Sequence, residues 1–357
     1  MPDELRLALA FALAVGASFL TVPLAIRLAW RTSFLDEPVG YKKHGRPTPY
    51  LGGLAVMAAF GPVAFLLGDG ASELPVIGLA AAGLCVVGTI DDRVGLGPAT
   101  RVLAEVAAAV ALWRADLGWA LFDQGAVNLL LDVVWVVGLV NALNLMDNLD
   151  GATGSVGGVS AAGVGVLAAT QGEIGIAVMA FELAGACLGF LRFNLARPSR
   201  VFLGDGGSML VGFVLAASIT AIPSSDGFGT AAVFAVVPLV GLAVLDTTLV
   251  VVSRIRRGAG VLTGGCDHLT HRLLSLLGTP QQVALVLAGA QAALCALGFI
   301  LFDSTIVTVF SAATGYVLIG AAAIAALEWP LVREDAIASA EETLSPALAP
   351  AQQESRS

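Results

Sequence analysis

The stretch 127–151 reads VNLLLDVVWVVGLVNALNLMDNLDG, and its reading decides the fold. Residues 127–146 form a predominantly apolar run of about 20 residues, the length at which a helix crosses the hydrocarbon core of a bilayer. The run closes on Asn141, Asn144, Asp147 and Asn148, followed by Asp150 and Gly151. At about 100° per residue, a helix continued through this end places Asn141, Asn144 and Asn148 on one face, with Asp147 beside it. Three amides and a carboxylate on one stripe at a membrane boundary are costly unless they bind something. One segment therefore predicts both a membrane helix and a functional rim.

The rest of the chain has the same character. Of its 357 residues, 57% are hydrophobic and 13% charged, with a mean hydropathy of +0.88. A soluble domain carries about 25% charged residues, so this composition excludes a water-soluble enzyme and excludes disorder. Eighteen Lys and Arg against 27 Asp and Glu give a net charge of −9. With no basic block, nucleic-acid binding is excluded as well. The four cysteines, Cys85, Cys187, Cys266 and Cys295, form no CxxC pair and read as small packing residues. There is no fixed-period repeat. Gly151, Gly154, Gly157 and Gly158 put small residues on a helix face, where they permit close helix approach.

Hydropathy breaks at turn residues and charges into about eleven apolar segments of spanning length: 5–29, 51–68, 74–90, 99–117, 127–146, 152–170, 174–193, 208–223, 230–252, 282–301 and 305–327. The expected fold is an all-α, polytopic transmembrane helix bundle. All but two of the 18 Lys and Arg residues fall on one side, with Arg6 and Arg114 on the other. The positive-inside rule makes the first side cytoplasmic. An outside N-terminus and a cytoplasmic C-terminus follow. The first apolar run lacks a basic leader and reads as a retained span rather than a signal peptide. Residues 1–327 form the integral-membrane domain. Residues 328–357, rich in Ala, Glu, Pro and Ser, read as a disordered acidic cytoplasmic tail.

The polar residues gather on the cytoplasmic side. Asp91-Asp92-Arg93 closes the third span, where two carboxylates meet the negative end of the helix dipole at a cost of about 0.3–1 kcal/mol each. That cost is explained if the pair holds a divalent cation or takes a proton. Asp205, in Gly204-Asp205-Gly206-Gly207-Ser208, either caps the eighth span or sits in a glycine backbone that cradles a phosphate at the helix N-terminus. Arg200 precedes it. Arg254, Arg256 and Arg257 are followed by Asp267, His268, His271 and Arg272 in the longest interior loop, a set suited to a diphosphate or sugar. Tyr41-Lys42-Lys43-His44 opens a further basic loop that continues to Arg46-Pro47-Thr48-Pro49. Walker A, HExxH, GxSxG and EF-hand patterns are absent from the sequence.

In this order, the Lys-His-Pro loop, DDR, NALNLMDNLDG, GDGGS and DHLTHRLLSLLG resemble the motifs of the polyprenyl-phosphate N-acetylhexosamine-1-phosphate transferase family, over about Asp36 to Gly278. The likeness is strongest to the bacterial branch that loads UDP-GlcNAc onto undecaprenyl phosphate. The resemblance implies transfer of a HexNAc-1-phosphate from a UDP-sugar to undecaprenyl phosphate at the cytoplasmic face of the bacterial cell membrane, releasing UMP for cell-envelope polysaccharide synthesis. It implies Mg²⁺, with Mn²⁺ as a substitute, held by Asn144 and Asp205. It implies catalytic roles for Asp91, Asp92, Asp147 and Asp150. It implies substrate contacts from Lys43, His44, Arg101, Asn141, Asn148, Arg200, His268, His271 and Arg272. Asp246 matches an acidic residue of the family and receives no role. The assembly state, including a homodimer, stays open.

Three positions depart from the family pattern. Thr270 stands in the third place of H-x-H-H, Asn148 replaces the first glycine of DGxDG, and the approach to GDGGS after Asn194 is slightly longer. They bear on sugar identity more than on reaction type, and UDP-MurNAc-pentapeptide or another UDP-sugar remains an alternative donor. The competing class is a membrane transporter, with Glu182 as its midplane carboxylate.

Overall fold

The computed structural model describes residues 1–37, 46–67, 73–222, 230–260, 265, 267–302 and 304–344. Helix α1 (Asp3–Thr32) leads into two short antiparallel strands, β1 (Leu35–Asp36) and β2 (Thr48–Pro49), paired Leu35 to Pro49. There follow α2 (Gly52–Leu67), α3 (Glu73–Val94), α4 (Pro98–Arg114), α5 (Gly125–Met146), α6 (Ala152–Thr170), α7 (Ile174–Asn194) and α8 (Gly204–Ala221). The chain continues through α9 (Thr230–Val236), a 3-10 turn (Val237–Val240), α10 (Gly241–Arg256), α11 (Leu269–Leu277), α12 (Pro280–Phe302) and α13 (Ile306–Leu344). This is the expected all-α bundle, a multi-pass membrane protein by its composition. Among the described residues, nine helical segments are long and apolar enough to cross a membrane. The other two expected segments are the helices α2 and α4, of 16 and 17 residues. Helix α13 continues past residue 328, where the sequence reading began the tail, as far as Leu344.

Burial ranks the helices. α8 is buried along almost its whole length, whereas α1, α3, α12 and α13 keep broad apolar faces outward. With no water in the bilayer core, a helix that is apolar on its outer face costs nothing there, and backbone groups must find partners inside the protein. The segment read as one span over 230–252 is broken at the 3-10 turn, where Pro238 lacks an N–H. Gln291 of α12, fully buried, repairs the break: its Oε1 accepts from Leu242 N at 3.2 Å, and its Nε2 donates to Leu239 O at 2.8 Å and Pro238 O at 3.2 Å.

The packing around α8 is built on glycine. A Cβ at Gly53 of α2 would land on the backbone of Gly206 and Gly207, and one at Gly88 of α3 on the backbone of Asp205 and Gly206. Three helices thereby meet backbone to backbone at the N-terminus of α8. Of the four cysteines, Cys85, Cys187 and Cys295 are free and buried, and Cys266 lies outside the described residues.

The expected outcome of Gly53→Ala is a loss of about 1–3 kcal/mol, the usual cost of overpacking, read as a lowered Tm of the detergent-solubilised protein. Gly83→Ala, with open space around it on α3, should hold or raise Tm.

Candidate active site

The alternating direction of the helices brings the C-terminal ends of α3, α5 and α7 and the N-terminal ends of α4, α6 and α8 to one end of the bundle. Two carboxylates at the last turn of α3 are unfavourable alone. They are relieved by their neighbours. Asp91, buried, accepts from Leu96 N and from Arg101 Nη1 at 2.9 Å. Asp92 Oδ1 accepts from Asp205 N at 3.0 Å, and its Oδ2 from Gly206 N at 3.4 Å. A carboxylate from α3 thus satisfies the orphan amides of the α8 N-terminus. Of the two readings the sequence left open, a cap by Asp205 or a phosphate cradle, the structure shows neither: the backbone amides hold Asp92, and Gly204-Asp205-Gly206-Gly207 is the first turn of the helix rather than its approach. Gly204 has φ +74°, and a Cβ there would meet the Asp92 carboxylate, so glycine is required twice over.

Asp205 sits between two side chains. Asn144 Nδ2 donates to Asp205 Oδ1 at 2.9 Å and to Ser208 Oγ at 3.0 Å. Arg101 Nη1 reaches Asp205 Oδ2 at 3.1 Å, so one guanidinium bridges Asp91 and Asp205. Asp147 lies just past the end of α5, half-buried. Burial pushes its pKa well above the usual carboxylate range, Asp205 pushes it further, the Thr153 hydroxyl pulls it back, and Asp92 and Asp150 add to the rise. Five carboxylates, Asp91, Asp92, Asp147, Asp150 and Asp205, therefore share this rim with Arg101. Asp150 Oδ1 accepts from Asn194 Nδ2 at 3.2 Å, and Asn194 also accepts from Gly151 N at 2.6 Å and donates to Val201 O at 2.9 Å.

The asparagine stripe does not survive as such. Helix α5 ends at Met146, so Asn148 is in the turn beyond it. Asn141 Nδ2 donates to Glu105 Oε2 at 2.6 Å and to Val137 O at 2.8 Å. Asn148 Nδ2 donates to Leu145 O at 2.7 Å, and its Oδ1 accepts from Thr270 Oγ1. Asn144 is the member of the stripe that reaches Asp205.

The interior loop comes to the same rim. Asp246 of α10, fully buried, accepts from Leu269 N with Oδ1 at 2.6 Å and bonds His268 Nδ1 with Oδ2 at 2.9 Å. It thereby caps α11 from another helix, a role the sequence reading left blank. His271 lies 6.3 Å from His268, ring to ring, and Arg272 Nε donates to Asp267 O at 3.4 Å. Arg254 clamps Asp267 with Nε at 2.9 Å and Nη2 at 3.2 Å, and Arg257 Nη2 adds a contact at 2.9 Å. Arg200 is exposed. Lys43 and His44 lie outside the described residues.

Two residues were missed. Glu105, 1% exposed, lies one helical turn from Arg101; a lone acid at i+4 from an arginine in an apolar run was the available signal. Tyr50 packs against Phe202 with ring centroids 5.8 Å apart and planes tilted by 58°, and burial, then Asp36, Asp92, Asp205 and Asp147, raise its phenol above the usual tyrosine range. Its hydroxyl stands in the field of the site's carboxylates.

Against this geometry, a family model of glycosyl transferase family 4 matches residues 74–222. Decaprenyl-phosphate N-acetylglucosaminephosphotransferase of Mycobacterium tuberculosis is 31% identical over 312 residues, 77% of this chain and 77% of that protein. The chain belongs to glycosyl transferase family 4. The same-named protein of Mycolicibacterium smegmatis is 32% identical, over 70% of each chain. Undecaprenyl-phosphate alpha-N-acetylglucosaminyl 1-phosphate transferase of Haemophilus influenzae is 29% identical, over 78% of this chain and 82% of its own. The matched family segment spans α3 to α8 and so contains Asp91, Asp92, Arg101, Asn144 and Asp205.

Asp267 supplies a pH test. Burial alone would raise its pKa, but the hydrogen bonds and charge of Arg254 win and hold it below the usual carboxylate value. A folded pKa below the unfolded one means the pair stabilises above about pH 4 and that this is lost as pH falls through the folded value. Asp267→Asn should cost about 3 kcal/mol at pH 7, because Arg254 is left buried without its anion. It should also flatten the fall of Tm between about pH 5 and pH 3.

Proposed function

We propose that this family member is a phosphotransferase that moves N-acetylglucosamine 1-phosphate from UDP-GlcNAc to undecaprenyl phosphate, releasing UMP. The reaction takes place at the cytoplasmic face of a bacterial cell membrane and supplies a lipid-linked sugar for envelope polysaccharide synthesis. The observation that carries this reading is the single constellation Asp91–Arg101–Asp205–Asn144, assembled from the ends of four helices at one rim of a membrane bundle. A lipid phosphate sits at the membrane interface and a nucleotide sugar arrives from the cytosol, so a transfer between them belongs at helix ends. The names of the relatives favour the GlcNAc donor over UDP-MurNAc-pentapeptide. The transport alternative rests chiefly on Glu182, which is buried within α7.

The donor set fits Mg²⁺. Among the described residues, no three His, Cys, Asp or Glu side chains gather closely enough to hold an ion unaided. Mg²⁺ needs no such cage, since it takes one or two protein oxygens and completes its shell with phosphate and water. Asp205 and Asn144 offer that pair: the Asn144 amide nitrogen serves Asp205 and Ser208, and among the described residues its oxygen accepts no hydrogen bond. When bound, the ion would neutralise diphosphate charge during in-line displacement. Arg101 shifts from Asp205 to the acceptor phosphate as that phosphate enters. Asp92 keeps α8 in place, and thereby Asp205 aimed. His268, His271 and Arg272 close on the nucleotide from the cytoplasmic side. Phosphoryl transfer demands mainly alignment and charge neutralisation, which is what this rim offers.

The test is direct. Purified protein with undecaprenyl phosphate, UDP-GlcNAc and Mg²⁺ should release UMP and form a lipid-linked product, with no turnover after chelation and recovery on adding Mg²⁺ or Mn²⁺. Asp205→Asn should lower kcat at least about 100-fold while the protein still inserts and folds. A panel of UDP-sugars fixes the donor; absence of product with every UDP-HexNAc would overturn the reading.

A further inference from the structure

Asn148 and Thr270 are 122 residues apart in sequence and touch in the fold. Thr270 Oγ1 donates to Asn148 Oδ1. The amide is oriented for this, because Asn148 Nδ2 is turned to Leu145 O. Thr270 is fully buried, so its hydroxyl has no water to fall back on if the asparagine is lost. The first turn of α11 is thus held from two sides. Asp246 of α10 takes Leu269 N and His268 Nδ1, and Asn148 in the Asp147–Gly151 turn takes Thr270. His271 and Arg272 follow at once on the same helix, so their height above the carboxylate rim is set by where Thr270 is anchored. Neither anchor belongs to α3 or α4, which carry Asp91 and Arg101.

We infer that the Asn148–Thr270 hydrogen bond is a positioning latch that sets α11 over the Asp147–Gly151 turn and so determines the room and affinity for the nucleotide sugar, without touching the lipid-phosphate end. The inference rests on the proposed transfer reaction. Asn148 supplies the acceptor, and Thr270 supplies a short buried donor.

Steady-state kinetics with UDP-GlcNAc and undecaprenyl phosphate varied separately test it. Thr270→Val keeps the shape and removes the donor. Its KM for UDP-GlcNAc should rise about five- to tenfold, while kcat and the KM for undecaprenyl phosphate stay within about twofold. Thr270→Ser, which keeps the hydroxyl, should restore the wild-type KM. Asn148→Ala should match Thr270→Val, and the double variant should be no worse than the worse single one, as expected for two partners of one bond. An unchanged KM for UDP-GlcNAc in Thr270→Val overturns the latch, as does an equal rise in the lipid KM or a double variant whose penalties multiply. A wild-type protein that turns over no UDP-HexNAc removes the transfer reading, and the latch with it. A wild type that is active beside an unmoved Thr270→Val removes the latch alone.

Discussion

The grip of the Asp92 carboxylate on the first amides of α8 is the contact from which the rest of the rim follows. α8 is nearly all buried and begins with glycines, so its orphan N–H groups face neither water nor a side-chain cap of its own. A carboxylate at the end of α3 answers two needs together. It supplies an acceptor to the positive end of α8, and that positive end offsets the cost of an acidic pair at the negative end of α3. The glycines at 53, 88, 204 and 206 let the helices approach closely enough for this. Once α8 is seated, Asp205 falls between Asn144 and Arg101.

A second constraint governs the loop side. Backbone polar groups cannot be left open within a bilayer, so the broken α9–α10 span exists because Gln291 closes the break. α10 in turn carries Asp246 and Arg254, which fasten α11 and Asp267. The interior loop is therefore tied to the membrane body by buried ionic and hydrogen-bonded contacts. Residues from the third to the eleventh helix meet at one rim, and the links that join α3 to α8, α5 to α8 and α11 to the turn after α5 are 113, 61 and 122 residues long.

What could be read from the residues was read from length and clustering. Apolar runs of spanning length predicted every long helix, since the bilayer imposes a length that shows directly in composition. The polar clusters DDR, NALNLMDNLDG and GDGGS marked the rim, since polar groups are costly there without a purpose. Pairing was another matter. Asn141 and Asn144 share a helix face, yet Asn141 bonds Glu105, a residue that periodicity hides in an apolar segment. The bond between Asn148 and Thr270 joins residues that no local pattern pairs. Asp246 had no reading until its two oxygens were found on α11.

The amino-acid sequence by itself determined that this is a membrane helix bundle with its polar chemistry at one end, because hydrophobic length and charge asymmetry act residue by residue. Tertiary structure alone decided which carboxylate caps a helix, which two side chains frame Asp205 and which asparagine is spent on the fold. Those roles depend on hydrogen bonds between residues tens to more than a hundred positions apart. A hydrogen bond is short and directional, and one sequence cannot say which two distant groups will lie within its reach.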